Sequence, residues 1–290
     1  MRGGQHQVLL LMRGLRKAGH ESVLLSRQGS PLRQAAEADG FLVDDAEAKQ
    51  LWRRSKEAVL VHAHDARAHT IAAMTSRRKF VVSRRVAFPV QRSVASVWKY
   101  QRPARFLAVS QFVASELIAA GVRPEKIDIV YDGVDASVPI CEWSPDYPAI
   151  ALASNDPQKG RDLIAEAAAI ANIPVHFSED LPRDFRRASM FIYATRSEGL
   201  GSAALLAMSF GVPVVASHVA GLVEVFDHNV SGFFVENTPQ DIAAAMRNVL
   251  DRPQLAMAVG KNGRKRIEEN FTEEHLVSRT VASYERALGG

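Results

Sequence analysis

Short apolar segments alternate with amphipathic segments along almost the whole chain. The apolar segments are typical of buried strands, and the amphipathic ones carry apolar residues three or four positions apart, as helices do. In the first such helix, residues 5–18, the apolar positions recur at Val8, Leu11, Met12 and Leu15. The alternation predicts α/β units in which a doubly wound parallel sheet has helices on both faces.

The predicted strands fall into two series that a turn-rich segment separates. The first series is at residues 21–26, 58–64, 79–85, 105–110 and 126–135. The second series is at residues 149–153, 173–177, 190–195, 212–217 and 231–236. Between them lies VPICEWSPDYP, residues 138–148, with three prolines. We therefore predict two Rossmann-like domains, residues 1–138 and 139–290.

One carboxylate stands at the end of a predicted strand in the second domain. Glu198 follows the apolar stretch MFIYAT, and Gly199 and Gly201 lead from it into a helix without charges. In doubly wound sheets, ligands bind beyond the carboxyl ends of the strands. The glycines allow close approach of the backbone, and the helix N-terminus offers N–H groups to an anion. Sugar hydroxyls suit the carboxylate because they donate hydrogen bonds; alternatively, Glu198 only caps its helix.

The segment SEGLGSAALLAMSFGVPVVAS, residues 197–217, resembles the signature of retaining glycosyltransferases of family 4. The resemblance continues through GLVEVFDHNVSGFFVE and the pair Lys159–Gly160. In the first domain it includes RGGQHQVLLLMRGLRKAGHESVLL, VHAH and AVSQFVASELIAAGVRPEKIDIVYDGVD. It covers most of the chain and implies the GT-B architecture, in which two Rossmann-like domains face each other across a cleft.

The resemblance also implies a reaction and a set of roles. The family transfers a sugar from a nucleotide-diphosphate sugar with retention, and no metal or further cofactor is expected here. Glu198 would hold the donor sugar's hydroxyls, Lys159 would neutralise the diphosphate leaving group, and His64 would contact the sugar near the reacting carbon. The backbone groups expected near the diphosphate belong to Gly3, Gly4, Gly199, Leu200, Gly201 and Ser202.

Basic residues are concentrated in the first domain, on the side that handles the acceptor in this family. Residues 77–105 contain no Asp or Glu. Their basic residues are Arg77, Arg78, Lys79, Arg84, Arg85, Arg92, Lys99, Arg102 and Arg105. Such a surface attracts phosphates, which makes an anionic membrane surface a candidate partner, although a solvated basic face is the simpler alternative. Arg85, at a strand end, is a candidate substrate contact.

These features suggest a cell-envelope acceptor, either lipopolysaccharide, a lipid-linked sugar or another glycan. The net charge of +4 is too mild to indicate a nucleic-acid partner. No apolar run has the length of a membrane span, and the N-terminus lacks the apolar segment of a signal peptide. Cys141 is the single cysteine. We expect a cytoplasmic protein, with peripheral attachment to the inner membrane face as an option.

Several positions depart from the family pattern. Leu206 replaces a glutamate that binds the ribose, which should cost about 1.5–3 kcal/mol of nucleotide binding. Ala153 or Ser154 stands where the family tends to have a second, arginine clamp on the diphosphate. Between Lys159 and Glu198 the second domain is short by one strand–helix unit.

The strand that should precede Gly3 and Gly4 is also absent from the sequence. Because that strand lies centrally in the family's sheet, its loss would leave two neighbouring strands unpaired. We expect the natural gene product to begin upstream of Met1.

Three other functions are compatible with parts of the sequence. His62 and His64 form the His-x-His pair that opens amidohydrolase metal sites, but the other histidines do not follow that series. Leu206 and the missing arginine suit a degenerate, non-catalytic relative that binds a sugar or a partner protein. A sugar-nucleotide epimerase of the same fold would need acid–base carboxylates that the sequence does not identify.

Overall fold

The structure is a computed structural model that describes residues 1, 3–90 and 93–289. Arg92, which the sequence assigns to the basic surface, lies outside the described residues. Among the residues described, no helix combines the length and the apolar character needed to cross a bilayer.

The chain divides into two compact units. Unit 1 comprises Met1–Gly133 and Glu273–Gly290, and unit 2 comprises Val134–Thr272. The predicted linker, residues 138–148, is not a connector, because it packs within unit 2. There the backbone N–H of Cys141 donates to the carbonyl of Phe210 at 2.7 Å.

Unit 1 begins with a helix and continues as alternating strands and helices. In chain order these are α1 (Gly3–Lys17), β1 (Val23–Ser26), α2 (Pro31–Ala38), β2 (Leu42–Asp45), α3 (Ala48–Arg54), β3 (Val61–Ala63), α4 (Ala66–Thr75), β4 (Phe80–Arg84), α5 (Val94–Gln101), β5 (Arg105–Ala108), α6 (Gln111–Ala119) and β6 (Ile127–Ile129). Strands β1 and β2 form one parallel sheet, and β3-β4-β5-β6 form a second. The strand expected before Gly3 stays a prediction.

Unit 2 contains one five-stranded parallel sheet with the order β11-β10-β9-β7-β8. Its elements are β7 (Ala149–Leu152), α7 (Arg161–Ala171), β8 (Val175–Ser178), α8 (Leu181–Asp184), β9 (Met190–Tyr193), α9 (Ser202–Ser209), β10 (Val214–Ser217), β11 (Phe233–Val235), α10 (Pro239–Asp251) and α11 (Pro253–Asn270). The chain crosses from β8 over β7 to β9 on the other side of β7, a change of direction that is typical of a doubly wound α/β unit.

The last helix, α12 (Glu273–Gly289), belongs to unit 1 rather than to the second domain as predicted. Its apolar face packs Leu276 and Val277 into the same core as Leu11 and Leu15 of α1. Burial of about 25 cal/mol per Å² of apolar surface therefore favours the return of the chain to unit 1. The periodicity of a single helix does not show which sheet it covers.

Side chains cap the N-termini of several helices. The Ser110 hydroxyl accepts the backbone N–H of Val113 at the start of α6, at 3.0 Å. Thr238 caps α10 in the same way, with Pro239 at the first helical position. Each cap satisfies a backbone donor that the helix itself leaves unpaired.

Candidate active site

Glu198 lies in the loop between β9 and α9 of unit 2, where the sheet presents the carboxyl ends of its strands. Three side chains lie within hydrogen-bond distance of its Oε1 atom, although the Thr195 hydroxyl is nearer to the Ser197 carbonyl, at 3.2 Å. They are the Lys159 ammonium, the Tyr193 hydroxyl at 2.5 Å and the Thr195 hydroxyl at 3.4 Å. The Lys159 ammonium also lies 3.3 Å from the Tyr193 hydroxyl. The structure thus brings together the two residues that the sequence predicts to hold the sugar and the diphosphate.

The arrangement leaves the second carboxylate oxygen of Glu198 for another partner. In the part of the chain that the structure describes, every hydrogen bond to Glu198 ends on Oε1. The Glu198 side chain as a whole is 14% exposed, so it lies at the surface of the site rather than in the core. Carboxylate oxygens only accept hydrogen bonds, and the hydroxyls of a sugar donate them. Oε2 therefore suits a polyhydroxyl ligand.

Tyr193 is the residue of this site that the sequence analysis missed. Burial and the adjacent Glu198 carboxylate raise the pKa of its hydroxyl well above the usual value, so it remains a donor. It ends the apolar strand β9, and an aromatic residue there looks like ordinary core. Because Tyr193 is the last strand residue before the Glu198 loop, its position could have indicated that its side chain lies at the site.

Two glycines hold the Glu198 loop in place. Gly201, directly before α9, has a φ of 106°, which favours glycine over residues with a side chain. A Cβ at Gly221 would lie 2.3 Å from the Glu198 carbonyl oxygen and 2.7 Å from the Gly199 carbonyl carbon. The loop therefore rests directly on the backbone at Gly221, and this contact fixes the height of Glu198 above the sheet.

The N-terminus of α9 completes the site in unit 2. Leu200 and Gly201 are buried, whereas Ser202 and Ala203 are partly exposed in the first turn. The N–H groups of a first helical turn and the helix dipole attract anions. Leu206, one turn further on, is also partly exposed and lies on the same face as Ser202. This face carries an apolar side chain where the family resemblance implies a ribose-binding carboxylate.

Unit 1 contains a second group of predicted site residues, at the carboxyl end of β3. The His62 and His64 rings lie against each other with centroids 3.8 Å apart and planes tilted by 33°. His62 is held on both sides, with Nδ1 2.7 Å from the Tyr284 hydroxyl and Nε2 2.8 Å from the Ser83 hydroxyl. Burial and the charge of Arg85 lower the pKa of His62 to about 3. His62 is therefore a neutral structural residue.

Arg85 joins His64 to a buried carboxylate. Its Nη1 donates to His64 Nδ1 at 3.4 Å, and its Nε donates to Asp132 Oδ1 at 2.8 Å. The Asp132 side chain is only 4% exposed. Because arginine is always a donor, Nδ1 of His64 must accept, and the neutral ring then carries its proton on Nε2. Asp132 lies in a turn, and the sequence analysis did not single it out.

The charge state of His64 follows from the same contacts. Burial, together with neighbouring His62 and Arg85, holds the pKa of His64 well below its ordinary value. His64 is therefore neutral and offers one N–H, at Nε2, to a ligand. The amidohydrolase alternative finds no support at this pair, since in the described residues no group of three or more His, Cys, Asp and Glu side chains could hold a metal ion.

Gly3 and Gly4 form the first turn of α1, so their N–H groups lie at a helix N-terminus as expected. One turn later the Gln7 side chain is buried against Gly133, donating to its carbonyl at 2.8 Å and accepting its N–H at 3.0 Å. Gly133 follows Asp132, the carboxylate that holds Arg85. The start of α1 is thus anchored beside the Arg85–His64 group of unit 1.

Two protein families match the chain, one for each half. The Glycosyltransferase Family 4 model matches residues 1–138, and the model described as Glycosyl transferases group 1 matches residues 153–266. The chain belongs to glycosyltransferase family 4. The second match contains Lys159, Glu198 and the N-terminus of α9, and the first contains His64 and Arg85.

The curated relatives of this chain are distant. The capsular polysaccharide biosynthesis glycosyltransferase CapM of Staphylococcus aureus is 27% identical over 36% of this chain and 28% of its own length. A D-inositol 3-phosphate glycosyltransferase of Jonesia denitrificans is 28% identical over 59% of this chain and 46% of its own length. The matched part of the chain thus spans less than half the length of either relative.

Solved structures show the same fold. Anabaena Alr3699/HepE, solved in complex with UDP and glucose, superposes with a TM-score of 0.85 at 17% identity, covering 98% of this chain and 96% of that one. Sucrose-phosphate synthase from Thermosynechococcus elongatus gives a TM-score of 0.75 at 16% identity, covering 99% and 94%. The chain therefore has the GT-B fold of two Rossmann-like domains.

Proposed function

We propose that this family 4 member is a glycosyltransferase that takes a sugar from a nucleotide-diphosphate sugar. The observation that carries the proposal is the group around Glu198, where an ammonium and two hydroxyls share one carboxylate beside a helix N-terminus. Such a site combines an acceptor for sugar hydroxyls with donors and positive charge for a diphosphate. The family membership of both halves supports the same reaction.

Lys159 and the first turn of α9 act on the leaving group in this proposal. As the glycosidic bond breaks, negative charge grows on the diphosphate, and an ammonium with aligned backbone N–H groups stabilises that charge. Lys159 pairs with Glu198 in the structure, and a bound diphosphate would give its ammonium a second anionic partner. These groups do what a divalent metal does in other transferases, so the proposed reaction needs no metal and no cofactor besides the donor.

Glu198 and His64 act on the donor sugar. Glu198 Oε2 accepts hydrogen bonds from ring hydroxyls, while Lys159, Tyr193 and Thr195 fix the carboxylate through Oε1. His64 donates from Nε2 as a neutral ring, so it orients an oxygen of the sugar near the reacting carbon without adding charge. The proposed transfer proceeds with retention of the anomeric configuration, as the family resemblance implies, and we assign no protein nucleophile.

The proposed acceptor is a cell-envelope glycan or a lipid-linked sugar. Two features support this class. CapM, a relative by sequence, acts in capsular polysaccharide biosynthesis by its name. Unit 1 carries basic residues without an intervening Asp or Glu from 66 to 115, which suits an acceptor with phosphate groups or one that is held at an anionic membrane.

The proposal is tested by turnover of donor in Glu198→Gln. This change keeps the shape of the side chain but replaces the charged acceptor, so donor cleavage, with water or an added glycan as acceptor, should fall at least about a hundredfold. Release of nucleoside diphosphate measures it across a panel of nucleotide sugars. Exposed Glu166→Gln on α7 is the matched control and should keep full activity. Equal turnover in Glu198→Gln and Glu166→Gln would place the site elsewhere.

A further inference from the structure

Helix α5 of unit 1 turns its apolar side outward. Val94, Val97 and Trp98 follow the i, i+3, i+4 spacing of one helix face, and they are 91%, 43% and 46% exposed. No residue of this helix is buried. A helix that covers a core shows the opposite pattern, with its apolar stripe inward. The outward face is therefore unpartnered within the described part of unit 1.

The inner side of α5 is attached mainly through polar and aromatic contacts. The Lys99 ammonium donates to the carbonyl of Ala66 at 2.9 Å, and the Tyr100 ring stacks on Phe106 with centroids 5.6 Å apart. Ser93 and Ser96 form a reciprocal capping box at its start. These contacts fix the orientation of the helix, so the exposure of its apolar face is a defined feature of the fold and not a result of loose packing.

The loop before α5 adds to the same surface. Phe88 is 63% exposed. The guanidinium of Arg84 donates to the Phe88 carbonyl and to the Tyr100 hydroxyl, the latter at 3.0 Å, so it ties the loop to the helix. We call Phe88, Val94, Val97, Trp98 and Arg102 the α5 surface.

The charged side chains of the chain segment that forms this surface are all basic, and the carboxylate of Asp65, just before that segment, interacts electrostatically with Lys99. Residues 66–115 contain no Asp or Glu. The Arg102 guanidinium lies over the Trp98 ring, 5.5 Å from its centroid. Among the residues of this stretch that the structure describes, the other exposed basic ones are Arg67, Arg77, Arg78 and Lys79. Tryptophan beside arginine, on a short apolar stripe among basic residues, is the composition of helices that lie in the headgroup region of a bilayer.

We propose that the α5 surface docks on an anionic lipid bilayer. Val94, Val97, Trp98 and Phe88 would enter the boundary between headgroups and acyl chains, and Arg102 would remain among the lipid phosphates. A membrane fits better than an acidic protein, because the exposed apolar side chains form a shallow stripe and the charge around them extends beyond the helix. The inference deepens the proposed function, since it places the acceptor-handling domain at a lipid surface.

The first test is co-sedimentation of the full chain with vesicles. We expect binding to equal parts of phosphatidylcholine and phosphatidylglycerol, little binding to phosphatidylcholine alone, and weaker binding at high salt. Trp98→Ala should weaken binding at least about tenfold, and Arg102→Gln about fivefold. Trp52→Ala is the matched control, because Trp52 on α3 has the same 46% exposure. Failure to bind the anionic vesicles, as a surface for a protein partner would show, overturns the proposal.

A second readout separates insertion from simple charge attraction. Brominated acyl chains quench tryptophan fluorescence only at short range, so they should quench the wild type and Trp52→Phe but much less Trp98→Phe. Equal quenching in the two variants would show that α5 does not enter the bilayer. Neither readout depends on activity, and nucleotide-sugar binding measured on Trp98→Phe should match the wild type. A failure of the docking surface is therefore distinguishable from a failure of the donor site.

Discussion

At the scale of single residues, the least expected feature is the chain of contacts from Asp132 through Arg85 to His64. A buried carboxylate fixes the guanidinium, and the guanidinium decides which ring nitrogen of His64 is protonated. We therefore propose that Arg85 positions His64, and the direct substrate contact that the sequence suggested for Arg85 stays a prediction. Its Nε donates to Asp132 and its Nη1 to His64, so only the remaining N–H groups of the guanidinium could donate to a substrate.

Arg85→Gln should change the tautomer of His64. Without the guanidinium, Nδ1 loses the donor that keeps it unprotonated, so the ring samples both tautomers and donates less from Nε2. Nitrogen-15 NMR of the histidine side chains measures this directly, and turnover should fall about tenfold. Arg84→Gln, one residue earlier, is the control. An unchanged His64 spectrum in Arg85→Gln would refute the positioning role.

At the scale of elements, the Glu198 loop depends on its seat against Gly221. Gly221→Ala would bring a Cβ to within 2.3 Å of the Glu198 carbonyl oxygen, so the loop has to move. We expect donor turnover to fall at least about tenfold, with a loss of stability of about 1–3 kcal/mol from the forced displacement. Kinetics combined with thermal unfolding measures both. Gly4→Ala, where nothing lies within 4 Å, is a comparison for the effect of an added methyl group on stability.

Some helices and strands could be predicted from the sequence and others could not. The strands of the five-stranded sheet and helix α7 were predictable because each is an apolar run or a regular amphipathic stripe. Strand β2, with the sequence LVDD, was missed because two apolar residues followed by two aspartates form neither an apolar run nor an alternating pattern. The outward face of α5 was missed for a related reason, since periodicity shows that a stripe exists but not which side it faces.

For the site, local chemistry was readable and long-range contacts were not. Glu198 is recognisable from the glycines and the helix start around it, and Lys159 from the family resemblance, and the structure brings the two into contact. Asp132 meets Arg85 from 47 positions further along the chain, and no spacing in the sequence encodes that contact. Tyr193 is only five residues from Glu198, but an aromatic residue at the end of an apolar strand looks like ordinary core. The place of α12 in unit 1 is likewise a property of packing between distant segments.

At the scale of the whole molecule, buried histidines should make folding sensitive to acid. Burial lowers the pKa of His62 to about 3 and, with Lys99 nearby, that of His69 to about 4. His64 is shifted in the same direction. The unfolded chain takes up these protons near pH 6.5 and the folded chain does not. Stability is therefore greatest above pH 6.5 and falls as the pH drops towards 4.

For each of these histidines, the free energy of unfolding should fall by about 1 kcal/mol when the pH is lowered from about 7.5 to about 5.5. It falls because the pKa is lower in the folded state, so that acid protonates the unfolded chain first. Denaturant unfolding at the two pH values measures the loss. In His62→Gln the difference in unfolding free energy between the two pH values should be smaller by about 1 kcal/mol. His20→Gln, at an exposed position, is the control and should leave that difference unchanged. Stability that rises on acidification would contradict the assignment of neutral, buried rings.

The central claim is that the Lys159–Glu198 group of unit 2 binds the diphosphate and the sugar of a nucleotide sugar. The most direct measurement is titration calorimetry of the full chain with UDP-, GDP- and ADP-sugars, repeated on Lys159→Ala and on exposed Lys261→Ala. We predict that at least one nucleotide sugar binds, that Lys159→Ala weakens it by about tenfold to a hundredfold, and that Lys261→Ala leaves it unchanged. Binding of equal strength in wild type and Lys159→Ala, or no binding of any nucleotide sugar, would contradict the account.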